Sequence, residues 1–243
     1  MKVLVCPLHR GAELTYSQEK KYFSCVACKR KFEIKEFAGQ EIADFLIDKK
    51  EVNKGFRGIE GRLLRIAQSA PFKRQIETGK SVLDIGCGDN PRGNINMDCY
   101  IPDRIPQNFV LADAEYPPLK ERSVDIVLSN YVLEHTLDPA GFIRNACSIA
   151  KEKVEIITDN SEWIGDIFFR LWGAGRIFHE EHYYKWSREY LRNLLKKLKL
   201  ADHRVYLANL STNPLVNLFS VLGKVPRAGN FFYRDLIADI RIN

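Results

Sequence analysis

Two pairs of metal-ligating side chains stand near the start of this 243-residue chain, Cys6-Pro-Leu-His9 and Cys25-Val-Ala-Cys28. In each pair two intervening residues let one tight turn present both donors to a single ion, and the doubled spacing argues for zinc over unconnected buried thiols. Fifteen residues separate the pairs, and the LTYSQEKKYFS among them reads as a hairpin that brings the two turns together. Four such donors close a tetrahedron with no position left open, the pattern of a structural site. A module this short has little core of its own, so metal would supply much of its folding energy.

A second chemistry-bearing stretch is VLDIGCGDNPRG, Val82 to Gly93. The apolar run from Ser81 to Ile85 reads as a buried strand that breaks into a loop at Gly86 and Gly88. Glycines there permit positive φ and close approach of backbone to a ligand. A dinucleotide fingerprint needs a third glycine where Pro91 stands, which excludes the nicotinamide reading. What remains is a carboxylate, Asp84, two residues ahead of Gly-x-Gly. Further strand-like runs also end in polar groups: Asn94 to Asp98, Phe109 to Ala112 leading into Asp113-Ala114, and Ser123 to Ser129 leading into Asn130-Tyr-Val-Leu-Glu134-His135.

In that order these motifs resemble the class I S-adenosylmethionine-dependent methyltransferases. The resemblance implies a cofactor site at Asp84, Gly86, Cys87, Gly88, Asp98, Asp113, Ala114, Ser129 and Asn130. Asp98 would accept hydrogen bonds from the ribose hydroxyls, and Asp113 from the adenine amino group, with the next backbone amide donating to the ring. The Leu133-Glu134-His135 segment would border the methionine end. Asp98 follows Gly88 by only ten residues, too few for the usual full helix between the first two strands. GCGDNPRGNINMD thereby resembles a compact "GCGxxxxxGxxNxD" subgroup whose members often occur with glycan or small-molecule biosynthesis. The N-terminal stretch resembles the small zinc-ribbon proteins that partner or precede methyltransferases. Lys31-Phe-Glu-Ile34 stands where those proteins carry an apolar-charged segment, and His9 replaces their second cysteine.

The elements that must position these groups follow from pattern. Asp138-Pro-Ala opens a helix to Ala150, Val154 to Thr158 is a fifth strand, and Ser187 caps an amphipathic helix. In that helix Tyr190, Leu191, Leu194, Leu195 and Leu198 share a face, and His203–Ala208 and Asp235–Ile242 read as the last strands. The fold expected is α/β: a Rossmann-like seven-stranded mixed sheet with helices on both faces, preceded by a small zinc ribbon. The domain boundaries expected are 1–38 for the ribbon, 39–78 for a helical linker and first helix, and 79–243 for the methyltransferase domain. Within the linker, Ile42, Phe45 and Leu46 fall on one helical face, as do Ile59, Leu63 and Leu64.

The acceptor is less legible. Amino-group methylases with an Asn/Asp-Pro-Pro-aromatic motif after the fourth strand are disfavoured, because this chain has Ser129-Asn130-Tyr131-Val132 there. The aromatic-rich insert from Trp163 to Trp186 reads as a lid over the acceptor, and one of His135, His179 or His182 is expected to face the methyl as a base. His179 and His182 have ligand spacing, but no third ligand is evident beside them. Leu215 to Leu222 is an apolar stretch that could be core, lid or contact surface. These features favour O-methylation of a small-molecule or glycan acceptor. An rRNA or tRNA methyltransferase that docks RNA through the basic zinc-ribbon region is the second reading: residues 1–80 hold 17 Lys and Arg against 10 Asp and Glu, whereas 81–243 hold 20 against 21. A solvated surface explains the same imbalance. A scaffold that binds cofactor and docks a protein through the ribbon is the third reading. No apolar run approaches the roughly 20 residues of a membrane span, and no secretory h-region opens the chain, so a cytoplasmic protein with reduced cysteines is expected.

Overall fold

Short alternating segments at the N-terminus fold as an antiparallel meander. The computed structural model describes residues 3–47, 79–165, 182–209, 218 and 229–242, and elements are numbered among these. Strands β1 (Leu14–Ser17), β2 (Tyr22–Cys25), β3 (Lys31–Phe37) and β4 (Gln40–Ala43) pair in chain order. The β1–β2 hairpin is the one read from the sequence, with Leu14 opposite Cys25 and Ser17 opposite Tyr22. Phe23, Phe32 and Phe45 form its core, with ring centroids 5.8 Å apart for Phe23–Phe45 and 5.0 Å for Phe32–Phe45.

The sheet runs past residue 38, which corrects the helical reading of Ile42, Phe45 and Leu46: Gln40–Ala43 is a strand. Ala38 and Gly39 have φ of 49° and 78°, the left-handed pair of a two-residue hairpin turn that joins β3 to β4. An Ala-Gly pair between charged, half-exposed strands gives a weaker turn signal than Asn-Gly, and the apolar spacing mimics a helix. The linker residues 48–78, including Ile59, Leu63 and Leu64, lie outside the described residues.

A second sheet has seven strands: β5 (Val82–Ile85), β6 (Ile95–Asp98), β7 (Phe109–Leu111), β8 (Val124–Asn130), β9 (Ala150–Asp159), β10 (His203–Ala208) and β11 (Asp235–Arg241). Their order is β10-β11-β9-β8-β5-β6-β7. The pairs from β9 through β7 are parallel, and β11 is antiparallel to both of its neighbours. Parallel strands covered on both faces read as continuous apolar runs, and all four residues of β5 are buried. Helix α1 (Pro139–Ile149) starts where expected: Asp138 Oδ1 accepts from Gly141 N at 2.8 Å, and Phe142, Ile143, Ala146 and Ile149 are buried. In α2 (Arg188–Lys197) the Ser187 hydroxyl accepts from Tyr190 N at 3.3 Å. Leu191 and Leu195 are buried there, but Tyr190 is 71% exposed and does not share their face. A last short helix, α3 (Gly229–Phe232), precedes β11.

The two sheets share one hydrophobic core, which joins Cys6, Phe23, Phe32 and Phe45 to Leu83, Met97 and Val127. Backbone bonds fasten them: Val5 N donates to Pro118 O at 3.0 Å, and Lys120 N to Val3 O at 2.8 Å. Directly after β4, Asp44 bridges Leu111 in parallel and Phe45 N donates to Leu111 O at 2.8 Å. Leu111 belongs to the outermost strand β7, so the N-terminal sheet covers what would otherwise be an unpaired edge. No described helix is long and apolar enough to cross a membrane.

Candidate active site and metal centre

Parallel strands β5, β6, β7 and β8 end on one side of the sheet, where open α/β folds take their ligands. The loop after β5 is held against β6: Gly86 N and Cys87 N both donate to Met97 O, at 2.8 and 3.2 Å. Gly86 and Gly88 have φ of 72° and 50°, and a Cβ on Gly86 would run into the Val132 side chain. The glycine loop is thus packed directly against the approach to Leu133–His135. Between β5 and β6 there is no helix, as the short gap implied. Gly93 lies so close to β5 that a Cβ there would sit 2.7 Å from Val82 O and 2.8 Å from Asp84 N. Asn94 Oδ1 accepts from Val82 N at 2.7 Å, closing the loop.

The carboxylates read from the sequence converge here. Asp98 is 5% exposed; its Oδ2 accepts from Gly88 N at 2.8 Å and its Oδ1 from Tyr100 N at 3.3 Å. Burial raises its pKa, while those amides pull it back. Asp84 accepts from Arg92 N through Oδ2 at 2.8 Å, whereas its Oδ1 is buried without a hydrogen-bond partner among the described residues. Desolvation pushes its carboxyl up to about 6 against the pull of the Arg92 charge. Ser129 is fully buried and its hydroxyl is likewise unpartnered. Asp113 follows β7 and holds its own turn, with Oδ1 accepting from Glu115 N at 2.9 Å; Ala114 and Asn130 are half-buried beside the same strand ends.

Beyond β8 the chain forms a single 3-10 turn, Leu133–His135. Glu134 is 2% exposed, and its Oε2 accepts from Thr158 Oγ1 at 2.8 Å. Its Oε1 has no hydrogen-bond partner among the described residues. Burial, reinforced by the nearby Asp159 charge, pushes the Glu134 carboxyl up to about 8. His135 and His182 meet edge to face with ring centroids 4.5 Å apart. Tyr183 N donates to Glu134 O at 2.8 Å, which pins the returning chain beside this turn. Ligand atoms of Glu134, His135 and His182 all lie within 4.8 Å of one another. Sequence reasoning lacked Glu134 as a third group beside the histidines; its contact with His182 spans 48 positions and leaves no local signal. Trp163 and Trp186, the ends of the aromatic insert, are buried and anchored, with Asn160 bridging Trp186. Residues 166–181, including His179, lie outside the described residues, as does the 215–222 stretch apart from exposed Leu218.

The N-terminal cysteines and histidine also come together. Donor atoms of Cys6, His9, Cys25 and Cys28 lie within 4.8 Å of one another, and no disulfide joins the cysteines. Cys6 Sγ and Cys28 Sγ are 3.9 Å apart. Tetrahedral zinc with bonds of about 2.3 Å places thiolates about 3.8 Å apart, so the cluster fits that ion. Each turn is shaped as a ligand knuckle: Cys28 N donates to Cys25 Sγ at 3.5 Å, and Ala12 N donates to His9 O at 2.9 Å.

A methyltransferase-domain family model matches residues 54–204. Among solved structures, a methyltransferase of Thermotoga maritima is similar at 15% identity, covering 69% of this chain and 84% of that one with a TM-score of 0.49. A second, from Archaeoglobus fulgidus, has 18% identity, coverage of 75% and 92%, and a TM-score of 0.48. A third comes from the complex of the Haloferax volcanii Trm112 methyltransferase activator with a methyltransferase, at 15% identity, coverage of 76% and 89%, and a TM-score of 0.44. Comparison with curated proteins returns no match. The match spans more than half of the chain, and the sheet order and strand-end carboxylates agree with it. The chain belongs to the methyltransferase-domain family and is an S-adenosylmethionine-dependent methyltransferase of the class I fold.

Proposed function

We propose that the protein methylates an oxygen of a small-molecule or glycan acceptor, with cofactor held by Asp84, Gly86, Cys87, Gly88, Asp98, Asp113, Ala114, Ser129 and Asn130. The observation that carries the cofactor assignment is the convergence of Asp84 and Asp98 at the strand ends, with buried Asp84 Oδ1 left without a hydrogen-bond partner among the described residues. A polar ligand would supply that missing hydrogen bond. Asp98 anchors the ribose hydroxyls and Asp113 the adenine amino group, while the side-chain-free glycines let the loop backbone lie close to the methionine portion. S-adenosylmethionine supplies an electrophilic sulfonium methyl. The cleft residues align the acceptor with it and exclude water.

A small acceptor is favoured over RNA by how the basic residues near the N-terminus are employed. Lys21 and Lys35 sit in ion pairs with Glu41 and Asp44 at 2.7 and 2.5 Å. Arg10 and Arg30 donate to Ser148 Oγ and Ile47 O at 3.2 and 2.7 Å. In the same reading Cys6, His9, Cys25 and Cys28 hold one structural zinc, and the ribbon serves the fold.

Calorimetric titration tests the site. Asp98→Ala removes a charge-assisted contact worth about 1.5–3 kcal/mol, a loss of about 10- to 150-fold in S-adenosylmethionine affinity. Undiminished affinity in that variant would reject the ribose assignment. Incubation with labelled cofactor and fractionated extract tests the acceptor: label in a small molecule or glycan is expected, and label in RNA would reject that choice.

A further inference from the structure

We propose that Glu134, His135 and His182 form a second metal site, a two-histidine, one-carboxylate centre for a divalent cation that holds and activates the acceptor. The three donor atoms lie within 4.8 Å of one another, so a central point is about 2.8 Å from each. Each donor need close by less than about 1 Å to reach the 2.0–2.2 Å of a nitrogen or oxygen bond to such an ion. Thr158 fixes one oxygen of Glu134, while the other, also buried, has no hydrogen-bond partner among the described residues. A hydrogen bond from a neighbouring side chain to the ligating carboxylate is the usual way such donors are aimed. His182 is brought in by the backbone bonds from Tyr183 and Tyr184 to Glu134 O.

Three protein donors leave coordination positions open, unlike the four of the cysteine cluster, so the ion can take substrate. The donor set also separates the two sites chemically. Thiolates in the ribbon suit a softer ion such as zinc, whereas a carboxylate with two imidazoles accepts harder divalent ions. The turn that carries Glu134 and His135 begins just after Val132, whose side chain meets the glycine loop, so the centre lies beside the proposed methionine end of the cofactor.

This inference rests on the O-methylation reading and narrows it: the acceptor presents two neighbouring oxygens, as in a vicinal diol, to adjacent open positions. The cation lowers the pKa of the acceptor hydroxyl, whose proton leaves to solvent. An oxygen lone pair then forms the new O–C bond as the C–S electron pair returns to sulfur, leaving S-adenosylhomocysteine as a neutral thioether. His135 and His182 act as ligands in this scheme, which replaces the general-base role expected of a histidine.

The test is Mn²⁺ binding to the full chain with its ribbon metal retained, followed by electron paramagnetic resonance. One Mn²⁺ per chain is expected, with affinity falling at least tenfold in His182→Ala and in His135→Ala, both checked for an unchanged melting temperature. Binding that is absent, or equal in wild type and both variants, overturns the site. Catechol, as a vicinal-diol probe, should alter the bound Mn²⁺ spectrum; an unaltered spectrum overturns the diol assignment. The underlying reading fails separately. Label found on nitrogen with Mn²⁺ binding intact removes O-methylation and leaves the metal site, and label on oxygen without Mn²⁺ binding does the reverse.

Discussion

The N-terminal sheet and the strand-end cleft both gather titratable side chains, but they differ in what they leave unsatisfied. Among residues 3–47, no buried side-chain nitrogen or oxygen lacks a hydrogen-bond partner, whereas at the strand ends Asp84 and Glu134 each keep one oxygen without a partner among the described residues. A cluster closed by four donors can stabilise a fold and do little else. A cleft with buried, unfilled hydrogen-bonding capacity is unstable by itself, because each such group costs about 1–3 kcal/mol. It is therefore where a ligand must be expected. The chain carries such groups beside its glycine loop and at other buried positions, and none within residues 3–47.

The strongest way to break that contrast is to open the closed cluster. Cys25→Ser should release the metal and expose residues 3–47 to hydrogen exchange, since structural zinc contributes about 10–16 kcal/mol of apparent binding free energy in small zinc modules. Elemental analysis should fall from about one zinc per chain to none. Leu111 amide protection should fall too, because Phe45 and Asp44 cover that edge strand. Metal content unchanged by this variant would show the ligand set to be wrong.

A smaller perturbation asks whether the ribbon is a separate unit. Phe45 is fully buried in the core common to both sheets. Phe45→Ala should cost about 3–5 kcal/mol in a single cooperative denaturation transition. Two separate transitions, with the methyltransferase core unaffected, would make the two sheets independent and the edge cover incidental.

How much of this was legible in the sequence follows the same division. Local signals placed the cysteine pairs, the glycine loop, the missing helix before β6, and the Asp138 and Ser187 caps, since each rests on residues a few positions apart. The five parallel strands were found because buried parallel strands give apolar runs. What escaped depends on distance or on weak local chemistry. Ile42 and Phe45 carry helical spacing, yet the Ala38-Gly39 turn and the open edge at Leu111 make a strand the better solution. Tyr190 was assigned to the buried face from its spacing, but Leu191 and Leu195, with Leu194 and Leu198 packed beside them, fill that contact. The third ligand beside His182 was invisible because Glu134 meets it only after the chain has crossed the end of the sheet.

The finest test of the contrast is a pH effect at Asp84, where the cleft's unfilled capacity should show as a proton. In the folded protein without cofactor this carboxyl titrates at about 6, above its usual value of 3.8, because burial outweighs the Arg92 charge. The folded state therefore binds more protons than the unfolded chain between those two values. By linkage, the contribution of Asp84 to stability is fully present below pH 3.8 and is lost as pH rises through about 6. S-adenosylmethionine carries a sulfonium and an ammonium, so its binding favours the ionised carboxylate and should strengthen as pH rises from about 5 to about 7. Asp84→Asn should flatten both dependences: its stability should decline less over that interval than the wild type's, and its cofactor affinity should lose the rise. Calorimetric titrations at the two pH values, paired with denaturation curves, measure both at once. Equal pH dependence in wild type and Asp84→Asn would mean that Asp84 is already ionised in the empty cleft and that its unpartnered oxygen holds no proton for the cofactor to displace.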